Sequence, residues 1–266
     1  MRRIFVFVLC VIVACSLLAV PIVLQNANTA SHQQQAVTKA IDYFKNSAEP
    51  YALLWMDVIH RRFGIAAFAD ALQRYDQYLA SHPDEAPLLR VFRRIADYNN
   101  TLQDGDLQAI SADIDHITVP ALYSDRDELP ADYPIMLQDA ASQGQYMLTH
   151  VLLAWVWLQE NSVTAQMPSG FAENLYRANA ALINDDNTVT DVELEAAAFL
   201  YLAGQVGLVD SNFAAKVVAV QNSDGGWRLS SDVADTSNWH PSILALFFLL
   251  HVEHPAESYP PMLAQD

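Results

Sequence analysis

From residue 31 onward, apolar side chains recur every three or four positions almost without a break, the spacing of helices that bury one face. Phe68, Leu72, Tyr75 and Leu79 form one such stripe. No stretch alternates apolar and polar residues between hairpin turns, so the pattern predicts an all-α fold. The expected helices are Ser31–Asn46, Tyr51–Phe63, Ala66–Ala80, Asp84–Tyr98, a short one near Leu107–Ile114, Tyr133–Glu160, Ser169–Ile183, Asp191–Gly204, Ser211–Gln221 and Pro241–Glu253. Short turns between helices of this length predict layered helix pairs rather than a long coiled coil. Thr190-Asp191-Val192-Glu193 reads as a capping box, in which the Thr190 hydroxyl accepts from the Glu193 N–H and the Glu193 carboxylate reaches back to residue 190. His240-Pro241 opens another helix, with proline at a position that needs no N–H. Pro120, Pro130, Pro134 and the run Asp125-Arg126-Asp127-Glu128 predict a loop over Thr118–Pro134 that subdivides the body or covers a cleft. One globule with a divided core is expected.

The first 30 residues follow a different rule. Met1-Arg2-Arg3 precedes an apolar run, Ile4–Leu24, interrupted only by Ser16 and Pro21. As a helix it would span about 31 Å, close to one hydrocarbon core. Residues 1–30 are therefore expected to be a membrane anchor or a signal peptide, with the arginines holding the N-terminus in the cytoplasm and residues 31–266 exported. Asn28-Thr29-Ala30 offers an imperfect cleavage site. Ile12-Val13-Ala14-Cys15 resembles a lipoprotein signal, but the chain stays apolar beyond Cys15, where such signals turn polar. The expected place is the cell inner membrane, single-pass, with the body in the periplasm, or secretion after cleavage.

Composition narrows the partners. Fourteen basic residues face 31 acidic ones, a formal net charge of −17, so non-specific binding to nucleic acid is excluded as a first reading. With 52% hydrophobic and only 17% charged residues, the acidity must coat a folded body rather than mark a disordered tail. Cys10 and Cys15 both lie in the apolar leader. The exported part then has no thiol, disulfide or Cys-bound metal, which fits a bacterial envelope.

The most specific string is Gln221-Asn222-Ser223-Asp224-Gly225-Gly226-Trp227. Gln221 can tie helix ends through its amide, Asp224, Gly225 and Gly226 supply a turn tolerant of positive φ, and Trp227 can plug a seam between helix layers. The string resembles the Gln…Gly-x-Trp turn of α/α-toroid proteins such as terpenoid cyclases and protein prenyltransferases. That resemblance implies a partial toroid architecture and a structural role for the motif; the Asp-x-Asp-Asp general-acid motif of triterpene cyclases is absent. A second resemblance spans about Gln145–Pro255. Leu148 to Leu153, Trp157, Thr190 to Glu195, Gly204, Gln221 to Trp227 and His240 are similar to the pattern of an uncharacterised family of secreted helical proteins known chiefly from animals. The resemblance singles out His150, Asp191, Glu195 and His240; the animal members carry cysteines that this chain lacks.

Two readings of these polar residues are open. His150, Glu195 and His240 could converge as a catalytic acid/base group or bind a metal with an open coordination position. Alternatively His150 bonds a backbone carbonyl, Asp191 and Glu193 cap their helix, and His240 is an N-cap. Asp113, Asp115 and His116 read as solvated caps; Asp185-Asp186-Asn187 starts like a calcium loop, but Val189, Thr190 and Ala196 occupy positions that need other residues. Trp155 and Trp157 read as core in preference to a binding surface. No hydrolase elbow, P-loop or dinucleotide fingerprint is present. The sequence specifies no cofactor, metal or oligomeric state. The expected role is a membrane-anchored binding or assembly factor of the envelope with a protein partner; the alternatives are a toroid-like hydrolase or lyase acting on a carbohydrate or lipid-like substrate, and a structural subunit of a membrane complex.

Overall fold

A computed structural model describes residues 31–163, 166–186, 188–229, 236–256 and 258–266. The expected leader and its apolar span 4–24 lie outside them. Among the described residues no helix is long and apolar enough to cross a membrane.

The described chain is all-α, and its only strand-like pairing is one antiparallel bridge between Trp227 and Asn238. The α-helices are α1 (31–44), α2 (Pro50–Phe63), α3 (Ala71–Ser81), α4 (Ala86–Phe92), α5 (Asp113–Leu122), α6 (Tyr133–Ser142), α7 (Gln145–Glu160), α8 (Phe171–Ala180), α9 (Asp191–Leu202), α10 (Phe213–Ala219) and α11 (Trp239–Glu253). Burial separates two kinds of helix. In α11 every residue from Pro241 to His251 is buried, and α9 buries Glu193 through Leu200 without a gap. α3 buries only Ala71 and Tyr75, and α8 only Leu175 and Asn179. A helix apolar on all sides must be surrounded, whereas an amphipathic one lies on the outside. Accordingly α2, α11, α9, α7 and α5 pack side against side in that order, with α3, α6, α8 and α10 set against them. One contiguous apolar core runs from Ala36 to Leu263.

The first described helix is held by the last one and by the turn before it. Gln33 Nε2 donates to the Leu249 carbonyl of α11 at 3.3 Å, and Gln221 Nε2 donates to the Ala36 carbonyl of α1 at 2.8 Å. The tail after α11 is threaded back across the bundle. Arg61 and Arg62 of α2 donate to the Met262 (2.8 Å) and Pro260 (2.5 Å) carbonyls, and the Glu160 carboxylate accepts the Met262 and Leu263 N–H groups at 2.8 and 2.9 Å. Met262 and Leu263 are thereby buried.

The Gln221–Trp227 turn is built as its sequence suggests. Gln221 Nε2 also holds the Gly225 carbonyl at 2.8 Å. Asp224 Oδ1 accepts from the Gly226 N–H (3.1 Å) and the Ser237 hydroxyl (2.6 Å). The Trp227 ring is buried, its Nε1–H donates to the Val217 carbonyl at 2.8 Å, and its backbone N–H donates to the Ser242 hydroxyl at 2.7 Å. At Gly225 φ is +95°, and a Cβ would stand 2.3 Å from the Lys39 carbonyl oxygen of α1.

Four sequence expectations need correction. The loop expected over Thr118–Pro134 is helical through Leu122, because α5 buries Ile117, Val119, Ala121 and Leu122, and this outweighs the backbone bond that Pro120 cannot make. The single helix expected over Tyr133–Glu160 is two, divided at Gly144, whose φ of +70° turns the chain between α6 and α7. Ala66–Ala80 is a 3-10 turn, Ala66–Phe68, followed by α3. His240 is not an N-cap: Asn238 caps α11 by accepting the His240 N–H at 2.9 Å, which places His240 inside the first turn. The capping box at Thr190 is present as expected, with Glu193 N–H to Thr190 Oγ1 at 3.2 Å and Thr190 N–H to Glu193 Oε2 at 2.7 Å.

Candidate functional site

α9 carries Glu195 into the interior of the bundle, where its side chain is fully buried. A carboxylate there is costly unless it is paired and hydrogen-bonded. Three side chains answer it. From α7, Thr149 donates its hydroxyl to Oε1, and His150 Nδ1 lies 3.0 Å from the same oxygen. From α11, His240 Nε2 lies 3.2 Å from Oε2. His150, Glu195 and His240, distant in sequence, are thus brought together by three helices packed side against side. Asp191, one turn before Glu195, is also buried, and Glu193 is spent on the cap, where it also accepts the Asn184 N–H at 2.8 Å.

The contacts fix the imidazole chemistry. His150 Nδ1 faces two acceptors, Glu195 Oε1 and the Tyr146 carbonyl at 2.8 Å, so in the neutral ring the hydrogen sits on Nδ1 and the lone pair on Nε2. Both expected roles of His150, the carbonyl bond and the carboxylate contact, are therefore made by one nitrogen. His240 presents Nε2–H toward Oε2, but the N–H is poorly aimed, and Oε2 has no well-formed hydrogen bond. Burial acts to raise the Glu195 pKa, but the charge and hydrogen bond of His150, with those of His240, outweigh it and hold the carboxyl at about 2. It is an anion at neutral pH.

Both histidines open onto a cavity of about 510 Å³, within the range of small-molecule sites. Its walls are mostly apolar and rich in aromatic rings. Tyr51 of α2 and Trp239 of α11 lie nearly parallel, centroids 6.0 Å apart at 15°, and Trp55 and Phe199 do the same at 6.1 Å and 10°. Met262 from the threaded tail and Trp157 line it too, and Trp157 Nε1–H points at the Met262 sulfur, 3.4 Å away. Trp157 is thus both core and pocket wall; Trp155 is only half-buried and donates to the Tyr176 hydroxyl.

Asp115 was not legible as part of this site. It sits in the first turn of α5, where an acid ordinarily serves the helix dipole, yet it is half-buried and lines the cavity. Burial pushes its carboxyl pKa up, partly offset by His150 and His116. Its neighbours Asp113 and His116 are exposed, as expected of caps. The other acidic candidates are occupied elsewhere, with Asp185 bound by Lys216 at 3.1 Å and Asp186 by Thr188. Among the described residues no three His, Cys, Asp or Glu side chains are disposed around one point to hold a metal ion.

No family model, curated protein or solved structure matches this chain.

Proposed function

We propose that this chain is an exported helical enzyme that performs acid/base chemistry, hydrolysis or elimination, on a small organic molecule seated in the aromatic cavity. The observation that carries the reading is the placement of two imidazoles against the two oxygens of one buried carboxylate beside that cavity. Glu195 is the positioning residue: it holds the His150 hydrogen on Nδ1 and stabilises the imidazolium that forms when Nε2 takes a proton from water or from the substrate. His240, which also lines the cavity, is the group available to return a proton to the leaving group. The aromatic faces suit sugar rings and lipid-like chains alike. The alternation of surrounded and amphipathic helices, with the Gln221–Trp227 brace, supports a partial α/α toroid whose inner helices supply the site. Arg2-Arg3 ahead of the apolar run supports placement outside the cytoplasm.

The test has two readouts. Nitrogen NMR at neutral pH should find the His150 hydrogen on Nδ1; a hydrogen on Nε2 would overturn its role as base. Turnover of chromogenic esters and glycosides should fall about 100-fold or more in His150→Gln and in Glu195→Gln, the usual scale of a lost acid/base group. A panel with no turnover by the parent would reduce the site to a binding pocket.

A further inference from the structure

The charges around the cavity are one-sided. Its lining includes Asp115, Glu195 and two histidines, but no lysine or arginine. The arginines beside the lining residues Phe92 and Ile95 are turned to other carboxylates, Arg93 to Asp76 at 2.7 Å and Arg94 to Asp125 at 3.0 Å. No lysine or arginine is left to receive a phosphate or a carboxylate, and both histidines are turned to Glu195. Glu195 is already served by Thr149, His150 and His240. Asp115 is different: it forms no hydrogen bond or ion pair through its side chain with any described residue, although it is half-buried. It lines the same cavity as His150 and Tyr51, and its charge acts on both groups. A half-buried carboxylate with no lysine or arginine in the cavity it lines, sharing that cavity with the Tyr51 and Trp239 rings, has the composition of a site for an organic cation, whose positive charge is attracted both by the acid and by the faces of the rings.

We propose that the molecule taken by this cavity carries an ammonium group, quaternary or fully substituted, seated against Asp115 and the Tyr51 and Trp239 rings. The assignment rests on the acid/base reading for what happens next: it places the cationic head beside α5 and α2 and leaves the remainder of the molecule toward His150. An anionic molecule is disfavoured by the two carboxylates and by the absence of lysine and arginine from the lining. A neutral one forgoes the interaction that Asp115 offers.

The experiment uses the purified full-length chain, with binding followed by tryptophan fluorescence, since Trp55, Trp157 and Trp239 all line the cavity. The probes are choline, its uncharged carbon isostere 3,3-dimethyl-1-butanol, and phosphocholine. Choline should bind saturably and at least about tenfold more tightly than the isostere, a difference of about 1.4 kcal/mol. Phosphocholine should bind more weakly than choline, which separates a free ammonium compound from a phosphate-bearing lipid headgroup. Asp115→Asn should bring choline down to the level of the isostere while leaving the isostere unchanged. Equal or tighter binding of the isostere, tightest binding of phosphocholine, or no saturable response to choline would each overturn the proposal. The comparison of probes on the parent chain needs no variant, so a poorly folding Asp115→Asn does not remove the test. The nitrogen NMR readout on His150 uses no ligand, so the acid/base reading stands or falls separately.

Discussion

His251 shows how an uncharged imidazole is enforced by its neighbours. Arg62 Nε donates to its Nε2 at 3.0 Å, its Nδ1–H donates to the Phe247 carbonyl at 2.9 Å, and Phe63, Phe247 and Tyr259 surround the ring. Burial, then the Arg62 charge, lowers its pKa from 6.5 to about 3. Between these values the unfolded chain binds a proton that the folded chain refuses, so stability falls as pH drops from about 6.5 toward 3. Glu195 adds to this lower down: its folded pKa of about 2 against 4.5 means its contribution is complete above 4.5 and lost as pH falls toward 2. Urea unfolding measured from pH 7 to 4 should therefore show a steady loss, and His251→Gln should flatten the slope above pH 4.5, where Glu195 contributes none of it. Gly225 makes a second residue-scale case, now of shape. Gly225→Ala combines a positive φ with a collision against the α1 backbone, and should cost at least about 2 kcal/mol in the same assay.

Among the elements, the Gln221–Trp227 turn and the threaded tail hold the bundle by different means. Trp227 is a buried ring with both of its N–H groups bonded, and Trp227→Ala should lose about 3–5 kcal/mol of unfolding free energy. A parent-like melting temperature together with free acrylamide quenching at residue 227 would refute the brace. Removing residues 260–266 exposes a cavity wall and strips Glu160 of both N–H partners, so the truncated chain should melt lower and bind cavity ligands more weakly. The brace and the capping box were legible in the sequence because each is a short string whose chemistry is closed within a few residues. The helix ends were less so. Pro120 reads as a breaker only until the burial of its neighbours is known, and Gly144 is hidden in a continuous apolar pattern because α6 and α7 both bury residues on either side of it. For the site, His150, Glu195 and His240 stood out as polar residues on apolar helices, which is a local signal. Asp115 did not, since an acid in a first turn is ordinary, and only the packing of α5 along α7 shows that it faces inward.

At the scale of the whole molecule, the apolar run Ile4–Leu24 behind Arg2-Arg3 makes one prediction about place. A reporter that works only outside the cytoplasm, fused after Asp266, should be active, and an active cytoplasm-only reporter at that junction would contradict the proposed export. The junction of α1 with α11 and the turn before it has a further consequence, in time rather than in space. His240, the last imidazole of the site, and Met262, which walls the cavity, both follow α9 in the chain, while the helix that α11 and Gln221 grip is the first one described. As the chain is made, Thr149 and His150 of α7 are in place for Glu195 when α9 appears, but its second imidazole arrives only with α11. Through that interval Glu195 Oε2 and the face of α9 that α11 will cover are unmatched, the stage at which the nascent chain most needs a holdase.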